Sequence, residues 1–144
     1  MTVRSLLERK GNFVSVAAPT ARVQDIVDQL ESDDVAAVVI SGDGKEIEGI
    51  VSARAIARGL KQFGRDVVDR PVGDLMTREV ATCDIGEPLS RVYELMDEHQ
   101  VRHIPITNGG ALCGIINTLA VVKHRLAEID AEAKALKEYI AGRT

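Results

Sequence analysis

Val101-Arg102-His103-Ile104-Pro105-Ile106, Asn108-Gly109-Gly110 and Leu112-Cys113-Gly114-Ile115-Ile116 form the stretch that decides the fold. Two apolar runs flank a glycine turn, and the second run leads into the last helical pattern, which reads as a hairpin feeding a helix. The same layout occurs earlier as Val35-Ala36-Ala37-Val38-Val39-Ile40, Gly42-Asp43-Gly44 and Ile47-Glu48-Gly49-Ile50-Val51. Val101 follows Val35 by 66 residues and Gly114 follows Gly49 by 65. One loop residue of slippage separates the copies, so the chain is an internal duplication.

Working outward, the pattern extends to both sides of each hairpin. Leu6-Leu7 before Lys10-Gly11-Asn12 reads as a helical turn ended by glycine, and Phe13 to Val16 as a short strand. Pro19-Thr20 opens a helix with Val23, Ile26, Val27 and Leu30 on one face. Ser52 stands where a helix N-cap would stand, ahead of Ile56, Leu60 and Phe63, with Gly64 as the stop. In the second copy Val72 to Met76 repeats the Leu6-Leu7 turn and Val80 to Cys83 repeats the first strand. Val92, Leu95 and Met96 mark the second amphipathic helix. The expected organisation is a first repeat over 1–64, a charged linker over 65–71, a second repeat over 72–122 and a helical extension over 123–144.

That extension differs from its counterpart. Leu119, Val122, Leu126, Ile129, Ala133, Leu136 and Ile140 are spaced alternately by three and four residues, a heptad seam among mostly charged neighbours. Two destinations fit such a seam, another subunit or the chain's own domain.

The 144 residues carry 18 Lys and Arg against 22 Asp and Glu, and 45% hydrophobic residues with 3% aromatic and no Trp. The core must be aliphatic. No basic stripe with interleaved aromatics points to nucleic acid. No apolar run approaches a membrane span, and the N-terminal residues lack a signal-peptide pattern, which points to a cytoplasmic protein. Cys83 and Cys113 form no CxxC or Cys/His cluster and read as buried free thiols. No GxxxxGK[ST] loop, nucleophilic triad or zinc-ligand spacing is present, so no catalytic or metal residue is assigned.

Val72-Gly73-Asp74-Leu75-Met76, Arg102-His103-Ile104-Pro105-Ile106, Gly114-Ile115-Ile116 and Gly49-Ile50-Val51-Ser52, set in this duplication, closely resemble the tandem CBS domain family, named after cystathionine beta-synthase, in its small stand-alone bacterial form. The resemblance runs from about Val3 to Val122. It implies an α/β (α+β) fold of two pseudo-symmetric repeats packed through their sheets, here with a long C-terminal helix. It also implies a non-catalytic regulatory role and pairing as a homodimer. Expected ligands are AMP, ADP, ATP, NAD, S-adenosylmethionine or a related dinucleotide, bound in clefts between repeats. In such sites a Ser or Thr after the Gly-Ile-Val strand and an Asp three positions later hold phosphate and ribose. Here Ser52 keeps the hydroxyl, but Ala55 stands at the ribose-Asp position. The second copy has Asn117 for the hydroxyl and Ala120 for the Asp.

Six residues are thereby expected at the ligand: Arg102, His103 and Asn117 in the second cleft, Thr82 on its adjoining strand, and Ser52 and Arg54 at the first helix start. The two readings are a ligand sensor acting on a separate effector protein, and a CBS-pair scaffold that has lost nucleotide binding.

Overall fold

Each hairpin folds onto one preceding strand, and the result is two three-stranded sheets of the same design. The computed structural model describes residues 1–142. In the first sheet β1 (Val16–Ala17) runs parallel to β2 (Ala37–Ile40), which pairs antiparallel with β3 (Gly49–Ser52). The second sheet repeats this with β4 (Cys83–Asp84), β5 (His103–Asn108) and β6 (Ala111–Asn117). Helices α1 (Val3–Lys10), α2 (Val23–Ser32) and α3 (Ala53–Phe63) accompany the first half. The second half has α4 (Leu89–His99) and α5 (Thr118–Gly142).

All four residues of β2 are buried, as an uninterrupted Ala-Val-Val-Ile run requires of a strand covered on both faces. The cores are aliphatic, but they do not follow the chain order. Ile26, Val38, Ile40 and Val51 of the first repeat are closed over by Val72 and Met76. Reciprocally, Val3, Leu6 and Leu7 of α1 pack on Leu95, Ile104, Ile106 and Ile116 of the second repeat. Each repeat therefore lends its leading turn to the other.

Backbone hydrogen bonds fasten the exchange. Val3 N–H donates to Glu87 O at 3.0 Å and Leu89 N–H to Met1 O at 3.0 Å, while Val72 N–H donates to Ala21 O at 2.7 Å. A direct strap joins the two hairpins, from Leu112 N–H to Lys45 O at 2.8 Å. Glycines allow the close approach at equivalent places. A Cβ on Gly49 would sit 2.7 Å from Met76 Sδ, and one on Gly114 would sit 2.8 Å from Leu7 Cδ1.

Several boundaries differ from the sequence reading. The first strand pairs at Val16–Ala17 rather than from Phe13, which is 61% exposed. Its counterpart pairs at Cys83–Asp84 rather than from Val80. Helix α2 begins at Val23, because the carbonyls of Pro19 and Ala21 are engaged by Gly73 and Val72. Residues 64–69 form a 3-10 helix that buries Val67, and Arg70 lies 3.8 Å over the Phe63 ring.

Candidate functional site

Two structural facts create the main cavity. Residues 77–81 leave Met76 and run beside β3, where Ile50 and Thr77 exchange backbone hydrogen bonds at 3.0 and 2.9 Å. Opposite them, α4 ends at Gln100, whose left-handed φ of 52° turns the chain into β5. Between these segments and the start of α3 lies a cleft of about 590 Å³. Both repeats supply its walls.

Ser52, Arg54 and Arg58 reach it from β3 and α3, and Arg102 and His103 from the entry to β5. The apolar wall includes Ala36, Ile50, Val80 and Val101. Ser52 Oγ accepts the Ala55 N–H at 3.3 Å, the capping role expected of it, and its own hydroxyl hydrogen remains available to an anion. Arg102 is pinned through its backbone, whose carbonyl accepts Thr118 N–H at 3.0 Å. Among the described residues, none of the guanidinium groups of Arg54, Arg58 and Arg102 is ion-paired to a carboxylate. Among the described residues, Glu79 is the only acidic one in the lining. Arg54, in the first turn of α3, also opposes the helix dipole, a cost that a bound anion would offset.

Burial, with a smaller contribution from the Arg102 charge, holds the His103 imidazole below its ordinary value of 6.5. It is thus a neutral group at physiological pH, and an anion beside it would raise its proton affinity.

Four of the six sequence-selected residues, Ser52, Arg54, Arg102 and His103, therefore meet on one cleft, although the sequence had divided them between two. Asn117 does not join them. Its Oδ1 caps α5 by accepting the Ala120 N–H at 2.8 Å, and it faces a shallower cavity of about 350 Å³ with Arg9, Lys10, Lys123 and His124. Thr82 is exposed and lines neither cavity, since strand alternation sends Cys83 into the core instead. Ala55 is buried within the first core, and Ala120 borders the shallow cavity, so neither position offers a carboxylate to the main cleft.

Sequence reading missed Arg58, Thr77 and Gln100 in the lining. Only Arg58 left a signal, standing one helical turn beyond Arg54.

Other chemistry is sparse. Cys83 is buried and Cys113 only half-buried, and burial raises both thiols above the ordinary 9.0, with Glu87 adding to the first and Asp84 to the second. Neither thiol is activated toward thiolate. Among the described residues no group of three or more His, Cys, Asp or Glu is placed to hold a metal ion, and no helix is long and apolar enough to cross a membrane.

Paired β-α-β-β-α repeats with a cleft between them define a tandem-repeat module, and comparison with known proteins gives its family. The CBS domain model matches residues 6–62 and 72–126, so the chain belongs to the CBS domain family. It is similar to the mitochondrial CBS domain-containing protein CBSX3 of Arabidopsis thaliana, 29% identical over 124 residues. That match covers 83% of this chain and 60% of the relative, so the chain spans three fifths of that protein's length. Among solved structures, a CBS-domain containing protein from Agrobacterium tumefaciens superposes with a TM-score of 0.82 at 29% identity, covering 87% of this chain and 99% of that one. A CBS domain protein from Pyrobaculum aerophilum complexed with AMP shares the fold, with a TM-score of 0.73 at 23% identity over 83% of this chain and 89% of that one.

Proposed function

We propose that this chain is a non-catalytic regulatory module. It binds an adenosine-containing or otherwise phosphorylated ligand in the cleft between its repeats and, as a cytoplasmic homodimer, passes the occupancy on to a separate effector protein. The observation that carries the reading is the convergence of Arg54, Arg58 and Arg102, none ion-paired among the described residues, on one cleft of about 590 Å³. That volume suits a small-molecule ligand. Guanidinium forks and the Ser52 hydroxyl supply donors for a phosphate, while Ile50, Val80 and Val101 offer an apolar seat for a base. The AMP complex of the Pyrobaculum relative supports the ligand class.

A thermal-shift screen with AMP, ADP, ATP, NAD and S-adenosylmethionine at millimolar concentration tests it. A ligand present at a hundred times its Kd stabilises by about 2.7 kcal/mol, which is roughly 5–10 °C for a domain of this size. Arg102→Ala should remove most of that shift. If no compound raises the melting temperature, the sensor reading fails.

One observation favours a second reading, a scaffold or protein-interaction module without a nucleotide. Alanines stand at both ribose-Asp positions, and Ala55 is turned into the core. A missing charge-assisted hydrogen bond costs about 1.5–3 kcal/mol. Uniform failure of the screen is the outcome that this reading expects.

A further inference from the structure

Helix α5 presents two opposite faces with opposite fates. Val121 and His124 are buried against the chain's own domain, and the His124 Nε2–H donates to Glu128 Oε1 at 3.0 Å. At 100° per residue that face points roughly 150° away from the line through Leu119, Val122, Leu126 and Ile129. The seam is accordingly open along its length, with Leu126 61%, Leu136 60% and Ile140 57% exposed. From Ile129 to Gly142 every residue is exposed. A projecting apolar helix of that kind is marginal in water without a partner surface.

We infer that this seam is an interface with the seam of a second copy of the chain, a proposal that rests on the homodimer reading above and assigns the surface. Charge decides the occupant. Lys123, Asp130 and Lys137 flank one side of the seam, and Arg125, Glu132 and Tyr139 the other. Laid parallel and in register, two copies match all seven apolar positions. Arg125 then falls beside the partner's Asp130, and Glu132 beside the partner's Lys137, twice over by symmetry and with no like-charge contact. Within one chain Arg125 lies 3.9 Å from Glu128 and Asp130 pairs with Lys134 at 3.2 Å. Both pairs are exposed and free to exchange partners across the seam. Leu119 and Lys123 at the first turn border the shallow cavity beside α1, whereas from Ile129 onward the helix is exposed all round.

The test is sedimentation or light scattering on the full chain across a dilution series, with circular dichroism as a check on folding. Wild type should dimerise, and Leu126→Glu with Leu136→Glu should weaken association by about 100-fold or more, since both buried layers would carry charge. Ala131→Glu, on the opposite face, should leave it unchanged. A double variant that dimerises like wild type overturns the seam assignment while the homodimer reading stands. A wild-type chain that is monomeric throughout overturns both.

Discussion

Gly49→Ala and Gly114→Ala are equivalent substitutions in the two repeats, yet they should have unequal costs. The added methyl at 49 would lie 2.7 Å from Met76 Sδ and 2.9 Å from the Thr77 carbonyl oxygen. A thioether can rotate away, but a backbone carbonyl cannot, and this one accepts the Ile50 N–H at 3.0 Å while Thr77 N–H donates to Ile50 O at 2.9 Å. Restoring an ordinary carbon–oxygen contact moves β3 from residues 76–77 by several tenths of an ångström and loosens both bonds. Overpacking costs about 1–3 kcal/mol and each of the two weakened hydrogen bonds about 0.5–1, so a loss of about 2–5 kcal/mol is expected. At Gly114 the three nearest atoms are all Leu7 side-chain carbons, the closest at 2.8 Å. Leu7 can change rotamer, and about 1 kcal/mol is expected. Urea denaturation of both variants at matched protein concentration measures the difference, with unchanged slope confirming comparable unfolding. Thr77 also lines the cleft, so Gly49→Ala should weaken any ligand-induced shift. Equal losses, or a greater loss at Gly114, would refute the reasoning.

Two further outcomes are expected. Ser52→Ala removes the acceptor of the Ala55 N–H and should cost about 1 kcal/mol, or roughly 2–4 °C in melting temperature, with Ser52→Gly milder. His103 titrates below 6.5 when folded and at about 6.5 when unfolded. Below that value the unfolded chain binds more protons, so the stability due to neutral His103 is present above 6.5 and is lost as pH falls. Melting temperatures from pH 7.5 to 5 should therefore fall more steeply for wild type than for His103→Phe, and superimposable profiles would exclude the assignment.

The duplication, the two hairpins and the Ser52 cap were legible because each rests on neighbours in sequence: apolar runs, turn glycines and a hydroxyl next to a helix start. Strand ends were less legible. Phe13 and Val80 look like strand residues, but pairing depends on where a partner's N–H and C=O groups fall, and the ladder starts at Val16 and Cys83. The seam of α5 was readable from spacing alone, whereas its exposure was not.

What the sequence by itself determined is the repeated unit, its aliphatic core and the family pattern around Gly49 and Gly114. Only the tertiary structure decided that the two repeats exchange their leading turns, that Arg54 and Arg58 face Arg102 and His103 across one cleft, and that Asn117 caps α5 away from it. Local patterns record which face of a strand or helix is apolar. Which repeat covers that face depends on packing between segments tens of residues apart, and no local periodicity encodes it.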